Sequence, residues 1–371
     1  MATDLKDIKD LNFGTGDLCE TNADGSPKFT LSSKEWYEIQ CYVNDASQLP
    51  TTEAALKNFF GSDAPSDLSD FKQLTDAYKN VNDHTSYWQE NTFSHSVSLA
   101  SDIYNYSSKA KNYFAPIYPL AQKLIDNPND EAAKDKLVAI LDMLSKDADK
   151  YKTTAGNVSK EIANFAEQTA NDGLVLGGND GKEGLYKYYN DKYGNESLAV
   201  STLQTQLDSE TKVLKTETAN YSYDVTVAAT TPTYVWIVPC GTIAAAVVAG
   251  VYGKRATDAL RNIHAAQALI DTMNSKIKND TQLMFALYHA VLGIDTILRS
   301  LESALSVIQK IEGAWGAISD DLKAISDTIK EDISKALPMI MDIGVDTAIK
   351  EWETVGNLAN TYRLNAYITV K

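Results

Sequence analysis

From Val225 to Gly253 the chain carries no charged side chain, although Asp224 stands directly before it and Lys254-Arg255 directly after. The residues read VTVAATTPTYVWIVPCGTIAAAVVAGVYG. The chemistry open to such a stretch is a change of solvent, because an uncharged run of ~18 or more residues is long enough to be a membrane-span candidate. Pro232 and Pro239 divide it. Val225, Val227, Tyr234, Val235, Trp236, Ile237 and Val238 belong to a β-branched and aromatic half suited to a strand or a membrane interface. The half from Cys240 to Tyr252 is rich in Ala and Val. In it Gly241, Ala245, Ala249 and Gly253 stand four apart on one helix face, a small-residue stripe of the kind that lets helices approach closely in lipid. Ile243, Val247 and Val251, with Val248 beside them, form a facing apolar row. Tyr234, Trp236 and Tyr252 have the amphipathic rings of interfacial anchors. Pro232, Pro239, Gly241, Gly250 and Gly253 are the candidate hinge positions.

Pro239 and Gly241 oppose one uninterrupted helix through the whole run, since proline removes a backbone donor. The preferred reading is a hairpin whose arms meet near Pro232–Pro239. Each arm extends into an amphipathic flank, Leu203–Val213 on one side and Ala256–Leu269 on the other. Two readings stand beside it: a buried central helix of a large helical core, and a permanent membrane anchor. Core helices alternate faces and rarely exclude charge for so long. An anchor would leave two large soluble halves with no second span.

Little else could do chemistry. His84, His95, His264 and His289 show no metal-ligand spacing with one another or with cysteine. Val248–Lys254 meets a phosphate-binding loop only at Gly253-Lys254. Asn179–Glu183 lacks the alternating ligand ladder of a calcium loop. The tyrosines at 104, 106, 113 and 118 read as helix packing. The chain is read as a non-enzyme without cofactor or metal. Its 371 residues carry a formal net charge of −16, which disfavours nucleic acid and docking to anionic lipid through a basic face. Three cysteines are too few for a disulfide scaffold. Cys19 and Cys41 either pair to pin the N-terminal arm or stand as two buried thiols. The N-terminus MATDLKDIKD lacks the apolar region of a secretory signal. The chain is therefore cytosolic, exported by another route, or written without its leader.

The elements that would position the run are helices. Residues 1–30 read as an irregular arm. Ser32 and Glu35 have capping-box spacing and predict a helix to about Ser47. Pro50 and Gly61–Pro65 predict a loop. A helical segment follows from about Leu68 to Ile125, broken near Pro116 and Pro119. Asn127–Asp130 predicts a turn. A second segment runs from about Glu131 to Thr169, with Leu137, Ile140, Leu141 and Leu144 on one stripe. Leu174–Asn195 is rich in Tyr and Gly and fits no element. A helix is predicted from about Glu196 to Ala219, and another begins near Lys254. Beyond it Ile294, Ile297, Leu301, Leu305, Ile308, Ile311, Trp315, Ile318, Leu322, Ile325 and Ile329 recur at steps of three or four, a coiled-coil-like period. Such a helix of about 60 residues is roughly 90 Å long. Gly313 and Gly316 are places for it to bend, Pro338 for it to stop, and a last helix runs from about Ile343 to Tyr362. No Asn-Gly or Asp-Gly turn between strands is expected outside the middle region. The fold class expected is all-α: an elongated antiparallel bundle of long helices as a tail, with a small hydrophobic head that holds at most a short β-hairpin. The tail takes residues 1–172 and 257–371, and the head takes 173–256 with its inserting segment 225–253.

Two long helical segments around a central hydrophobic head resemble the α-helical pore-forming toxins of the cytolysin A type. Within that group the chain looks most like the tripartite toxins, similar to haemolysin BL and the non-haemolytic enterotoxins. The stretch Gly241–Gly253, closed by Lys254-Arg255 and entering Ala256–Leu269, carries the likeness. It places the chain as the B, pore-building component. The resemblance implies a secreted soluble monomer whose head unfurls on a target-cell lipid membrane. Copies would then assemble into a ring pore with other toxin components. The alternative is a non-lytic helical scaffold whose hydrophobic hairpin mediates assembly.

Overall fold

Polar caps at Thr52, Asp130 and Asp332 and a proline at Pro116 set several of the helix starts. The computed structural model describes residues 13–21, 25–31, 34–61, 64–179, 183–193, 209, 275–342 and 344–366. Two short strands, β1 (Cys19–Thr21) and β2 (Pro27–Phe29), pair antiparallel with Cys19 opposite Phe29. Helices follow: α1 (Lys34–Ala46), α2 (Glu53–Phe60), α3 (Lys72–Tyr87), a π-turn at Trp88–Thr92, α4 (Phe93–Phe114), α5 (Ile117–Asp126), α6 (Glu131–Gly177) and α7 (Gly184–Tyr193). The described chain resumes with α8 (Ser275–Glu331), α9 (Ile333–Asp342) and α10 (Val345–Asn365). The all-α expectation holds. The contacts divide into two units, the first from residues 1–32, 94–161 and 305–366, the second from 33–93, 162–304 and 367–371.

In the first unit the heptad-like stripe of α8 faces inward, with Ile308, Ile311, Trp315, Ile318, Leu322, Ile325 and Ile329 all buried. Four helices each lend one ring to a single aromatic cluster. Tyr106 of α4 lies 5.0 Å from Trp315 of α8 and 4.6 Å from Trp352 of α10, and Tyr151 of α6 lies 5.0 Å from Trp315. The N-terminal arm is fastened to this cluster. Trp352 Nε1 donates 2.7 Å to the Phe13 carbonyl, and Phe13 stacks on Phe114 at 5.3 Å. Leu18, Phe29 and Leu31 are buried, and Phe29 meets Tyr362 edge-on. On α6 and α8, Ser145 and Ser319 each donate 3.0 Å to the other's backbone carbonyl. These paired bonds satisfy two hydroxyls that burial would otherwise leave without water.

Several sequence expectations change here. The arm is not irregular throughout. It holds the two-stranded hairpin, and Asp24-Gly25 falls between the strands, with Gly25 at φ +83°. Strands of three residues are too short to show the alternation that would have announced them. The hairpin expected in the head lies outside the described residues. Between Pro50 and Gly61 a helix forms where a loop was expected, because the Thr52 hydroxyl accepts the Ala55 amide at 3.1 Å as its N-cap. The π-turn was not foreseen. Its wide turn aligns residues five apart, and so Trp88 stacks on Phe93 at 5.1 Å with both rings buried. The break near Pro116 stands, and so does the turn before α6, where the Asp130 carboxylate accepts the Ala133 amide at 3.0 Å. Helix α6 continues past Thr169 to Gly177. Gly313 and Gly316 do not interrupt α8. The break comes at Asp332, whose carboxylate caps Ser334, and Pro338 sits in the middle of α9.

Helices α4 and α10 cross at Gly356. A Cβ there would stand 2.0 Å from Ser107 Oγ and 2.6 Å from Ser107 Cβ. Gly356→Ala is expected to cost about 1–3 kcal/mol of stability through overpacking, read as a lower midpoint in urea with an unchanged slope. Charge in the same unit carries a pH signature. Burial raises the Asp102 carboxyl to about 6, against a smaller lowering by Lys150. A raised carboxyl favours the fold when protonated, so that contribution is present below the ordinary value near 3.8 and is lost as pH rises through 6. Asp102→Asn should therefore raise Tm at pH 8 and leave it unchanged at pH 3.5, where the native residue is already neutral.

Candidate functional site

The run Val225–Gly253, with its inserting residues, small-residue stripe and hinge positions, lies outside the described residues. So do both of its flanks, Leu203–Val213 but for Ser209, and Ala256–Leu269. What the structure describes is the scaffold from which that segment departs and to which it returns. The chain leaves at Tyr193, the end of α7, and comes back at Ser275, the start of α8. Both positions belong to the second unit.

The departing side is built from the Tyr- and Gly-rich stretch that the sequence left unplaced. Gly178 and Gly184 adopt φ +67° and +57°, values that glycine reaches without a Cβ penalty. They fold the chain back so that the first turn of α7 seats on the last turn of α6. A Cβ at Gly184 would stand 2.5 Å from the Val175 carbonyl oxygen. The amide of Gly178 donates 2.9 Å to the Leu174 carbonyl, and that of Glu183 donates 2.8 Å to the Gly177 carbonyl. Tyr189 then anchors α7. Its ring is buried and stacks on Phe71 at 5.6 Å, and its hydroxyl donates 2.9 Å to the Asp70 carbonyl. Lys192 reaches the Asp70 carboxylate at 2.6 Å. The signal that could have found α7 is the spacing of Leu185 and Tyr189, one helical turn apart and both buried.

On the returning side, α8 lies close against α6. A Cβ at Gly173 would stand 2.9 Å from Ile294 Cγ2. Ile294, Ile297 and Leu301 are buried, as the stripe predicted. Behind this contact the same unit holds a polar pair. His84 Nδ1 lies 3.0 Å from Asp172 Oδ2. Burial pushes the Asp172 carboxyl above its ordinary value, and the hydrogen bond and charge of His84 pull it partly back. Burial, with the Asp172 charge beside it, pushes the Tyr42 hydroxyl well above its ordinary value. Trp36, Phe93, Trp88 and Phe165 complete the aromatic interior of this unit.

The other singled-out residues find ordinary places. His95 bonds Glu161 at 3.0 Å, in the first unit. His264 and the side chain of His289 lie outside the described parts. Tyr106 is buried in the aromatic cluster, Tyr104 carries the Arg363 guanidinium over its ring at 4.4 Å, and Tyr118 is exposed. Cys19 carries a free thiol rather than a bridge to Cys41, whose side chain is outside those described. Among the described residues no three His, Cys, Asp or Glu side chains gather as a metal site. Among them, too, no helix is long and apolar enough to cross a membrane. The described helices α7 and α8 thus bracket in sequence the residues 194–274, the uncharged run among them.

No protein-family model matches the chain. It is 26% identical over 366 residues to the pesticidal crystal protein Cry6Ba of Bacillus thuringiensis, covering 91% of this chain and 89% of that protein. The HblL1 toxin component of Bacillus cereus superposes with a TM-score of 0.66 at 15% identity, covering 97% of this chain and 99% of HblL1. Soluble SmhA, from the tripartite α-pore-forming toxin Smh of Serratia marcescens, superposes at 0.61 with 11% identity, covering 97% of both chains. The chain therefore has the fold of the α-helical tripartite pore-forming toxin components, the type that its central uncharged run and flanking helices resembled in sequence.

Proposed function

We propose that the chain is a pore-forming toxin component whose residues 225–253 enter the membrane of a target cell. The observation that carries this reading is the uncharged run itself, set within a chain of this fold. In water, exposing the run is unfavourable by about 25 cal/mol per Å² of apolar surface. In lipid that penalty vanishes, and backbone groups must be satisfied within helices or a closed barrel. The small-residue stripe at Gly241, Ala245, Ala249 and Gly253 supports close helix contact there, hence a ring of copies. The finer assignment is to the B, pore-building role, working with companion components of a tripartite toxin after secretion. It rests on the length and uniformity of the run. The relationship to a protein named pesticidal directs the proposed activity at the cells of a pest organism. The membrane-inserting residues, the hinges at Pro232, Pro239 and Gly250, and a head spanning 173–256 all belong to this proposal.

The test is dye release from vesicles and from cells, by the chain alone and with companion components, together with a polarity-sensitive fluorophore on Cys240. Release with a shift of that fluorophore to an apolar signal is the expected result. An unchanged Cys240 signal, no release under any condition and a stable oligomer in water would sink the proposal and leave an assembly scaffold in its place.

A further inference from the structure

Helix α3, the π-turn and α4 run unbroken from Lys72 to Phe114, and their buried stripe takes one irregular step. Val81, Thr85 and Trp88 are buried at steps of four and three, and Phe93, Val97 and Ala100 repeat those steps. Between Trp88 and Phe93 the step is five. At ~3.6 residues per turn a step of five leaves the stripe of a plain α-helix, whereas a π-turn holds the extra residue by widening a single turn. The turn thus carries one residue more than the stripe needs, and Gln89 and Glu90 within it are exposed.

The surplus leaves polar atoms unpaired. The Trp88 carbonyl accepts the amide of Phe93, five residues on. The hydroxyls of Thr85 and Thr169, buried in the same unit, each donate 2.8 Å to the carbonyl four residues before them. The Thr92 hydroxyl is buried as deeply and has no partner, and neither has Trp88 Nε1. A buried polar group without a partner is unfavourable, because the unfolded chain gives it water. What holds the turn is aromatic contact. Trp88 stacks on Phe93 at 5.1 Å and lies 5.9 Å from Phe165, while Trp36 lies 6.4 Å from Phe93. All four rings belong to the second unit.

We infer that the π-turn is a release point built into the second unit, a surplus residue clamped by Trp88 and Phe93 from which α3 comes free when the uncharged run meets lipid. This rests on the membrane reading proposed above, but it assigns the rearrangement to residues outside the run. With the rings parted, the turn converts to α-helix, and Thr92 donates to the Trp88 carbonyl as Thr85 does to that of Val81. The surplus residue then rotates α3 against Phe93 by roughly 100°. Val81 and Thr85 leave the buried face, and His84 parts from Asp172, its partner at 3.0 Å.

Deletion of Glu90 in the full chain tests it. The stripe would then continue at a step of four through plain α-helix, with no surplus to release. Tm should rise, and amide hydrogen exchange across residues 72–87 should slow about tenfold. The rate of dye release from phosphatidylcholine vesicles, with companion components present, should fall about tenfold as well. Thr92→Val keeps the turn but removes its unpaired hydroxyl, and should shift all three readings the same way by less. Deletion of Asn105, an exposed residue of α4 where the stripe has no surplus, should lower Tm instead. A lower Tm on deleting Glu90 would overturn the release point, since the residue would not be in excess. Native exchange in α3, or native-rate dye release despite slowed exchange, would overturn it too. If the native chain releases no dye under any condition, the pore-forming reading falls, and slowed exchange in the Glu90 deletion still upholds the turn as the place where α3 opens.

Discussion

Val247→Asp is expected to abolish dye release from vesicles while leaving the unfolding transition of the two helical units unchanged. Val247 belongs to the apolar row formed with Ile243 and Val251, in the middle of the Ala- and Val-rich half of the run. A carboxylate near the bilayer centre costs about 2.5–3.5 kcal/mol on insertion scales. At about 1.4 kcal/mol per factor of ten, that lowers insertion roughly a hundredfold for one copy. A ring meets the same penalty at every copy, and so the loss of pores is steeper than the loss for a monomer. Ala245→Asp, on the small-residue stripe, should act likewise and also spoil close helix contact. Val247→Leu is the control and should retain release. Release by Val247→Asp at the native level would remove Val247 from the bilayer.

Trp352→Ala is expected to have the largest effect on the fold. The ring is fully buried, 4.6 Å from Tyr106 and 5.8 Å from Trp315, and its indole nitrogen holds the Phe13 carbonyl. Truncating a buried tryptophan costs about 3–5 kcal/mol, and leaving the carbonyl without a donor adds about 1–3 kcal/mol. The two losses share one cavity and do not simply add. Against a typical domain stability of about 5–15 kcal/mol, even the lower value is a large part of the whole. Urea unfolding should show the loss directly. Trypsin should then cut at Lys28, in β2, well before the helices unfold, because the arm's attachment at Phe13 is lost first. Trp352→Phe keeps most of the ring and loses the hydrogen bond, and should fall between the native chain and the alanine variant. A Trp352→Ala variant as stable as the native chain would show that the aromatic cluster does not hold this unit together.

How far the sequence could be read varies with the length of each pattern. The α8 stripe was legible because eleven positions from Ile294 to Ile329 repeat one period, and an error at any one is outvoted by the rest. All but Leu305, which is half-buried, are buried in the structure. Helix α2 was missed because Thr52 and a short apolar face compete with Pro50 and Gly61 on either side. The hairpin was missed because three-residue strands show no alternation, and its stability comes from Phe29 against Tyr362 and Lys310 against Glu20, partners far away in the chain. The π-turn is tertiary in origin as well. Its extra width aligns Trp88 with Phe93, a demand no local propensity records. The break falls at Asp332, whose carboxylate accepts the Ser334 amide, while Pro338 is carried within α9.

The sequence by itself determined the helical class and the phase of the long stripes, because hydrophobic period is a local property. It also singled out the uncharged run, because composition needs no partner to be read. Only the tertiary structure decided that the arm is a strapped hairpin and that Leu174–Asn195 contains the anchored helix α7. Those features depend on Trp352 finding Phe13 and Tyr189 finding Asp70, contacts between residues more than a hundred positions apart. Burial and hydrogen bonding select such pairs only once the chain has folded, and no periodicity along the chain encodes them.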